Sequence, residues 1–546
     1  FTKTGAGTLV LSGNSGGFMG DTTVSAGTLA VNGKFGHGGT LLTVASGATL
    51  AGSGRIGGNA ALQSGATLAT GNSIGTLTVS GDFSFADGST YLVETDPSGT
   101  SSDLLHVLGT ADLAGTVKHV GLDGVYAETS SYTILTADGG YGSTRFDGVA
   151  SDYAFLDSSL DYSGNNVDLV LKRNDVALPD VAKTPNQAAT AQAVANLPKT
   201  NPIYLQILPM NAGQAQASYE ALSGELTAST TSGLIAGAQG SGQFVLNRIN
   251  HAFDAPIASS TGLPQGDGET RDTFTGYASW ASGYGSIGTS DATATTAAVD
   301  RSSAGFMGGI DTALGEGRIG LFAGFQRARF SADTLASSTD TDSYTAGIYG
   351  GTRFGDFRLT GGAAYSFNQL DTTRSVVVGG ISDTLAGSTD ASTYQAFGEL
   401  GYDIQAGRVT FTPFAGLSVV SMTTDGYTET GGVTALTVAK STTTVGYSTL
   451  GSRISSAFAL GETDMRVSGM LGWRHAFGDT APTSTNAISG SSFIVSGTPL
   501  AENLAVVGAG FEIDLTPTAT LGLTYEGEFG DGVMDNSGAA RLTVRF

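Results

Sequence analysis

Residues 505–515 read Ala-Val-Val-Gly-Ala-Gly-Phe-Glu-Ile-Asp-Leu, and their side chains alternate in character. Apolar residues such as Phe511 and Ile513 take turns with charged residues such as Glu512 and Asp514. Successive side chains of a β-strand point to opposite faces of the sheet, so the pattern predicts a strand with one apolar and one polar face. Such a strand lies between an apolar medium and a polar one.

The same alternation recurs outward from this segment through residues 274–546, where twelve strands of about ten residues can be drawn. We expect the apolar faces to meet lipid and the polar faces to line the interior of a barrel. The charged residues expected on the interior face include Glu399, Asp403, Arg466, Arg474, Glu512 and Glu526. They would pair with one another, with water and with a helix that threads the barrel.

Connection lengths distinguish a membrane barrel from a soluble β-sandwich, which would show the same alternation. The predicted short turns are 315–317, 355–356, 405–407, 461–462 and 516–518, and the predicted long polar loops between them are 288–303, 331–342, 371–392, 422–443 and 479–502. An even strand number with short turns at one end and long loops at the other is typical of outer-membrane barrels. We therefore predict a mostly β chain whose residues 255–546 form a twelve-stranded antiparallel transmembrane β-barrel.

The composition of the chain argues against several classes of function and structure. The formal charge is −23 and is spread thinly, so nucleic acid is not an expected partner, because phosphate binding needs a basic patch. The chain has no cysteine, which removes disulfides and thiol nucleophiles. No run of about 18 apolar residues occurs, so no membrane-spanning helix is expected. No signal peptide stands at Phe1, which begins inside a repeat, so we expect a missing N-terminal portion.

A repeat of about 20 residues occupies residues 1–81. The pattern Gly-Thr-Leu or Gly-Ala-Thr-Leu begins at Gly7, Gly27, Gly47 and Gly65, at spacings of 20, 20 and 18 residues. Each unit holds short Thr/Leu/Val/Ala strands between glycine turns, which favours the coils of a parallel β-helix. A single coil buries too few apolar side chains to offset its ordering entropy, so its stability has to come from stacking on a neighbour.

Residues 82–173 are expected to form a cap on this solenoid. The repeat loosens there into longer and more aromatic strands around 131–135 and 166–171. A cap would cover strand edges that otherwise attract other chains.

A helical linker is predicted at residues 174–254, where Ala, Gln, Ser and Leu replace the strand pattern. Prolines 179, 185, 198, 202 and 209 divide it into pieces. The last piece, 223–254, has only a weak apolar stripe and by itself suggests a surface helix. Beside a barrel, the same small side chains suggest a slim helix that threads the lumen.

The chain ends on an alternating strand, with Leu542, Val544 and Phe546 on the expected lipid face. A terminal aromatic residue on such a strand resembles the assembly signal of outer-membrane proteins.

The order of solenoid, cap, helical linker and barrel resembles the classical, or type Va, autotransporters. Residues 71–79, 102–117, 472–479 and 525–532 are similar to motifs of that family. The resemblance implies a monomeric barrel in the lipid of the Gram-negative outer membrane, assembled with periplasmic chaperones and the barrel-assembly machinery. It also implies that the barrel mediates secretion of an N-terminal passenger, which stays at the cell surface or is released.

Candidate catalytic, cofactor and metal residues are not predicted. Ser15 and Ser73 match the G-x-S-x-G pattern, but neither lies at a strand-to-helix turn, and solenoid turns explain both. The five histidines lack metal-ligand spacing. We therefore expect no enzymatic activity in this chain. Two alternatives stay open: the passenger binds host surfaces as an adhesin, or a protease or esterase domain lies in the missing N-terminal part.

Overall fold

The computed structural model describes residues 1–97, 101–122, 124–253, 276–460 and 463–546. Their backbones group into two compact units, one made of Phe1–Ala182, Val194–Ser218 and Val377–Ser382, the other of Lys183–Ala193, Tyr219–Val376 and Asp383–Phe546. The predicted boundaries at 81, 173 and 254 stay predictions. The predicted barrel start at Phe274 and the predicted turn 461–462 lie outside the described residues.

Short strands fill the described part of the first 173 residues, each only long enough for one side of a coil. They are β1 Thr2–Lys3, β2 Thr8–Leu11, β3 Asn14–Ser15, β4 Thr22–Val24, β5 Gly27–Val31, β6 Lys34–Phe35, β7 Leu41–Val44, β8 Ala48–Gly52, β9 Arg55–Ile56, β10 Asn59–Leu62, β11 Thr67–Thr70, β12 Thr76–Val79, β13 Phe83–Phe85, β14 Thr90–Thr95, β15 Leu104–Val107, β16 Ala111–Asp112, β17 Thr116–Gly121, β18 Thr129–Ala137, β19 Gly148–Ala150, β20 Leu156–Ser163 and β21 Asn166–Arg173.

These strands form a parallel β-helix, which confirms the predicted fold of this region. Every third strand of β1–β18 pairs in parallel with its counterpart in the next coil, so three sheets run along the described coils. In one sheet the register aligns Leu29, Leu50, Leu68, Tyr91 and Val117 in a column. All five side chains are fully buried, so the repeated leucine position is the core position of each coil.

The last coil is closed by antiparallel strands. β21 pairs antiparallel with both β18 and β20, whereas β1–β18 pair in parallel with one another. The buried positions of β21 are Val167, Leu169 and Leu171, which continue the core of the coils. The hairpin therefore covers the edge that β18 would otherwise expose.

The linker contains helices α1 Pro185–Ala195, α2 Pro202–Ile207, α3 Ala212–Leu222 and α4 Leu226–Ala252. Two of the linker prolines, Pro185 and Pro202, begin a helix. The N–H group of a first helical residue has no partner within the helix, so its absence in proline costs nothing there. The side chain of Asn201 accepts a hydrogen bond from Ile203 N and caps α2. Among the described residues, no helix combines the length and the apolar character that a membrane crossing requires.

The barrel unit consists of long strands with short connections at one end. Its strands are β22 Tyr277–Ser290, β23 Val299–Leu314, β24 Gly317–Ala332, β25 Ser337–Phe354, β26 Phe357–Val378, β27 Ile381–Tyr402, β28 Ile404–Ala406, β29 Val409–Thr424, β30 Tyr427–Thr428, β31 Leu436–Val438, β32 Ser441–Leu460, β33 Thr463–Gly478, β34 Thr483–Ile488, β35 Ser491–Ser496, β36 Asn503–Thr516, β37 Ala519–Gly530 and β38 Val533–Arg545.

The sheet closes on itself within the described residues. The first strand, β22, pairs antiparallel with the last, β38, and β27 pairs with β29. β27 and β28 act as one strand interrupted at Asp403, because both pair with β29. The predicted closed twelve-stranded antiparallel barrel is therefore confirmed. Closure pairs the backbone groups that an open edge would leave to lipid.

Two predicted features of the barrel were wrong. The segments 331–342 and 371–392 are mostly strand rather than loop, and only Gly379 and Gly380 separate β26 from β27. The strands are accordingly longer than predicted, up to 22 residues in β26 and β27. Outward side chains beyond the lipid layer meet water and are therefore polar. The alternation of apolar and polar residues ends there, although the backbones of the strands stay paired. Parts of 422–443 and 479–502 form a separate sheet of β30, β31, β34 and β35.

The helix-filled barrel interior

Helix α4 lies inside the barrel, and most of its residues are buried. Two glycines let it approach the wall closely. A Cβ atom at Gly233 would come within 2.1 Å of the Phe330 ring, and one at Gly242 within 2.4 Å of Gln395 Nε2. A larger side chain at either position would require the Phe330 ring or the Gln395 side chain to move.

The two ends of the barrel are named here by their connections. The short-turn end carries the turns after Leu314, Phe354 and Thr516. The long-loop end carries the segments 425–440 and 479–502 with their small sheet. The C-terminal part of α4 lies near the short-turn end, and its N-terminal part lies near the long-loop end.

At the short-turn end, the buried carboxylate of Asp311 holds the helix. It accepts hydrogen bonds from Arg248 Nη2 of α4 at 2.7 Å and from Arg318 Nε of the neighbouring strand at 2.7 Å. Tyr349 donates to it at 2.8 Å and accepts from Trp280 Nε1 at 2.7 Å. A carboxylate with no exposed surface is tolerated because charged donors surround it.

Glu399, predicted on the interior face, is buried and joins the helix to the wall. Arg453 Nη2 donates to its Oε2 at 2.8 Å, and Asn250 Nδ2 of α4 donates to its Oε1 at 2.9 Å. Asp403, also predicted, is buried between two arginines of β25 and β26. Arg353 Nη2 donates to it at 2.7 Å and Arg358 Nη2 at 2.8 Å.

The predicted residues Glu512 and Arg466 form a second cluster with the last strand. Arg466 Nη1 donates to Glu512 Oε2 at 3.0 Å, and Arg541 Nη2 donates to Oε1 at 2.7 Å. His251 Nδ1 of α4 lies 3.5 Å from the same Oε1. The last strand thereby shares a buried carboxylate with the helix.

The remaining predicted pair is Arg474 with the glutamates of β37. Arg474 is buried and contacts Glu528 directly, and its Nη2 lies 4.0 Å from Glu526 Oε1. Glu526 is only partly buried and faces a cavity of about 220 Å³ beside α4. Ser286, Ser303 and Ser537 also line this cavity, together with apolar residues that include Leu234, Phe244 and Met307, so its wall is mixed.

At the long-loop end, a buried ion pair holds the residues just before α4. Arg374 Nε and Nη2 each donate to Glu429 at 2.8 Å, and Arg374 Nη1 donates to the carbonyl of Ala221 at 2.9 Å. Arg374 belongs to a barrel strand and Glu429 to a loop segment. The pair therefore ties the linker to both parts of the barrel.

Loop side chains add further hydrogen bonds around the start of α4. Asn486 Nδ2 donates to the carbonyl of Ser223 at 2.8 Å. Glu225 accepts from Asn186 Nδ2 at 2.7 Å and from Ala297 N at 2.7 Å. Burial raises the pKa of the Glu225 carboxyl to about 7.

Leu542 and Val544 lie on the last strand, which pairs with β22 and β37, and Phe546 follows directly after its end. Leu542 and Phe546 are exposed, and Val544 is half-buried. Arg541 of the same strand points inward, so the strand alternates as expected. Their role as an assembly signal stays a prediction.

Several buried charges lie outside the predicted interior set, among them Asp311, Arg358, Arg374 and Glu429. Strand parity would have placed Asp311 inward, because Ile310 beside it is apolar and exposed. No pattern could have paired Arg374 with Glu429, because Glu429 lies in a loop. Ser15 lies in β3 of the β-helix and Ser73 between β11 and β12.

Two family models match the chain. The autotransporter beta-domain matches residues 279–526, and the passenger-associated-transport-repeat matches residues 1–31. The first match falls on the barrel and the second on the first coils of the β-helix.

Two relatives from Serratia marcescens, each named extracellular serine protease, match the whole chain. One is 31% identical over 594 residues and the other 30% identical over 592 residues. The chain spans 56% of the length of each of them. Because both relatives are named proteases, the expectation of no enzymatic activity is not confirmed.

Solved structures of autotransporter barrels are also similar. The translocator domain of NalP from Neisseria meningitidis matches with a TM-score of 0.44 and 16% identity, over 58% of this chain and 99% of that one. The beta domain of the Bordetella autotransporter BrkA matches with a TM-score of 0.37 and 17% identity, over 50% of this chain and 100% of that one. The β-domain match and the closed barrel identify the C-terminal part of this chain as the translocator barrel of a classical, type Va, autotransporter of the Gram-negative outer membrane.

Proposed function

We propose that the barrel secretes the N-terminal part of its own chain and then keeps α4 in its lumen as a stopper. The observation that carries this proposal is the direction of α4. Arg248, near its C-terminus, binds Asp311 at the short-turn end, and Ser229, near its N-terminus, lies 3.2 Å from Thr498 in a long loop. In outer-membrane barrels the long loops face outward, so the chain before α4 leaves on the outer side.

Folding of the β-helix would favour outward movement. Each coil gains stability by stacking on a neighbour, so coils that have emerged would fold on those that follow and would not return through the lumen. The antiparallel hairpin β20–β21 gives the stack a closed end on which such folding begins. No nucleotide energy source exists outside the cell, and this folding replaces it.

The proposal also covers the partners of the barrel. It is embedded in outer-membrane lipid as a monomer, and it is inserted there by the barrel-assembly machinery with the help of periplasmic chaperones. The exposed Leu542 of the last strand and the exposed Phe546 directly after it would be the part that the machinery binds.

A substitution in the closing hairpin tests the proposal. Leu169→Asp would place a charge at a fully buried position of β21, whereas Asp161→Asn changes an exposed position of β20. We expect Leu169→Asp to lower protease-accessible passenger on intact cells several-fold, while the barrel keeps its heat-modifiable migration. Asp161→Asn should leave both unchanged. Full display of the Leu169→Asp passenger would refute the role of folding in secretion.

A second candidate concerns the passenger. The β-helix is part of the passenger in this proposal. The names of both Serratia marcescens relatives favour serine protease activity in that passenger. To test this candidate, the longest gene product that contains this chain is secreted from cells. Casein cleavage by the secreted material is then measured with and without a serine-directed fluorophosphonate inhibitor. Inhibitor-sensitive cleavage supports a protease. Binding of the inactive passenger to host cells would instead support the adhesin alternative.

A further inference from the structure

Most basic side chains in the described parts of the barrel are buried or half-buried. In the described parts of the barrel, residues 276–460 and 463–546, the exposed ones are Arg327, Arg329, Arg408 and Lys440. Arg408 lies in a turn at the short-turn end, and Lys440 lies in a long loop. Arg327 and Arg329 differ from both, because they lie on a barrel strand and point outward next to each other.

The outward face of β24 changes from apolar to charged at Arg327. Towards the short-turn end the outward residues are apolar, and Ile319 and Leu321 are exposed there. Towards the long-loop end come Arg327 and Arg329. Two residues of a strand rise by about 7 Å, so the arginines lie within the thickness of a headgroup layer above the apolar band.

Aromatic rings mark the upper limit of the apolar band next to these arginines. The Phe325 ring centroid lies 6.1 Å from that of Phe306 and 5.2 Å from that of Tyr344, on the two neighbouring strands. Aromatic side chains prefer the membrane–water interface. Arg327 follows Phe325 on the same face of β24, so its guanidinium lies just on the water side of that interface.

Both arginines are held in place by aspartates of β25, the exposed Asp340 and the half-buried Asp342. Arg327 Nε and Nη2 each donate to Asp342 at 2.7 Å, and Arg329 Nη1 donates to Asp340 at 2.9 Å. The side chains of Arg327 and Arg329 are still 69% and 55% exposed. Exposed ion pairs of this kind contribute little stability, so a guanidinium can share or exchange its partner at small cost.

We infer that Arg327 and Arg329 form a binding site for the phosphate groups of the phosphorylated glycolipid in the outer leaflet. The guanidinium group matches phosphate in a two-point geometry and carries donors beyond those used by the aspartates. The aspartates orient the two arginines, and the aromatic rings below them contact the acyl chains. The site is continuous with the lipid-facing surface of the barrel, which is why its occupant is a lipid rather than a soluble anion.

Binding of lipid A to the full-length chain in a neutral detergent tests this inference. The bound lipid is counted by native mass spectrometry at increasing concentrations of diphosphorylated lipid A. The test variant is R327Q/R329Q, and the matched control is R408Q/K440Q, which loses the same two charges elsewhere on the exposed surface. We expect the test variant to bind about tenfold more weakly and the control to bind like the original chain. Heat-modifiable migration verifies that all variants are folded.

Three outcomes would overturn the inference: equal loss in test and control variants, equal binding of dephosphorylated lipid A, or displacement of lipid A by an equal concentration of inorganic phosphate. The variant D340N/D342N separates the arginines from their partners. It should bind lipid A at least as tightly as the original chain, because the donors become free. A loss as large as that of R327Q/R329Q would mean that only the intact ion pairs matter, and it would also overturn the inference.

Discussion

The β-helix and the barrel follow the same alternation of side chains with opposite results. Leu77 in β12 has no exposed surface, whereas Leu321 in β24 is 59% exposed. The β-helix turns its apolar face inward and its polar face to water, and the barrel does the reverse. Alternation therefore reveals a strand between two media, but it does not reveal on which side the apolar medium lies.

The two interiors are consequently stabilised in different ways. The β-helix core consists of stacked Leu, Val, Phe and Tyr side chains, so its stability comes from apolar burial. The barrel interior contains buried carboxylates paired with arginines on the wall and on α4. Such pairs are costly to break from one side, because the remaining charge stays buried. Substitutions in the two regions should therefore fail by different mechanisms.

The largest effect is expected at Asp311. Asp311→Ala leaves Arg248 and Arg318 buried beside each other without their shared carboxylate, which should cost about 3–5 kcal/mol. Urea titration of the full chain in detergent, followed by loss of the heat-modifiable form, measures this cost. The control Asp300→Ala changes an exposed carboxylate of the same strand and should cost little. Equal stability of both variants would refute the anchoring of α4 by Asp311.

A comparable but smaller loss is expected in the β-helix. Leu77→Ala removes a fully buried side chain of β12 and should cost about 2–5 kcal/mol, by lost burial and a residual cavity. Limited proteolysis of the purified chain at increasing temperature should show earlier cleavage of the β-helix, with the barrel unchanged. Thr76→Ala, at the exposed neighbouring position, is the matched control. Resistance of Leu77→Ala equal to that of the control would argue against Leu77 as a core residue.

The same substitution at two exposed apolar positions should have different effects on stability, because one position faces lipid and the other faces water. Leu321→Arg places a charge on the lipid face of the barrel and should cost about 2–4 kcal/mol if the site is near the middle of the bilayer. Val10→Arg, at a position of β2 that is 52% exposed, should change stability by less than about 0.5 kcal/mol. Refolding yields into lipid vesicles measure the first change, and thermal proteolysis measures the second. Similar effects at both sites would mean that both regions face the same solvent.

A pH effect is expected in the β-helix. Burial lowers the pKa of His119 to about 4, from 6.5, and its ring nitrogens lie 2.9 Å from Thr95 Oγ1 and 3.2 Å from Ser151 Oγ. As the pH falls, His119 takes up a proton in the unfolded chain before it does so in the folded chain. The stability that the buried neutral ring contributes is therefore fully present above about pH 6.5 and is lost as the pH falls towards 4. At pH 5 the loss should be roughly 2 kcal/mol.

The pH effect is measured as the difference between the original chain and His119→Gln. Burial raises the pKa of Asp103 to about 7, which acts with the opposite sign, and this contribution cancels in the comparison. The β-helix melting temperature of the original chain should fall more on acidification than that of the variant. Barrel unfolding is followed separately by the fluorescence of Trp280 and Trp473, both of which lie in the barrel. Parallel pH curves for the two chains would contradict the prediction.

The barrel and the β-helix were predictable from the sequence, because each follows from the periodicity of its apolar side chains. Strand parity sufficed to point Glu399 and Asp403 away from the lipid, since apolar residues flank them. Glu399 also contacts α4 through Asn250, whereas Asp403 pairs with Arg353 and Arg358 of the wall. The small side chains of α4 suggested a narrow site, and Gly233 and Gly242 occupy the tightest contacts.

The strand segments towards the long-loop end of the barrel were not predictable from the alternation of apolar and polar residues. The strands around 331–342 and 371–392 leave the lipid, so their outward residues are polar and resemble loop residues. The partners of buried charges were equally hidden. Arg374 meets Glu429 and Ala221 only because a loop and the linker fold over the same strand, which depends on tertiary structure rather than on local sequence.

Cysteine labelling on intact cells tests the central claim most directly, because the chain has no cysteine of its own. Single cysteines would be placed by Met19→Cys in the β-helix, where the side chain is 76% exposed, and by Glu316→Cys in a turn at the short-turn end. A maleimide that cannot cross membranes should label the first cysteine on intact cells and the second only after the outer membrane is broken. Labelling of Glu316→Cys but not Met19→Cys on intact cells would contradict secretion of the β-helix through this barrel.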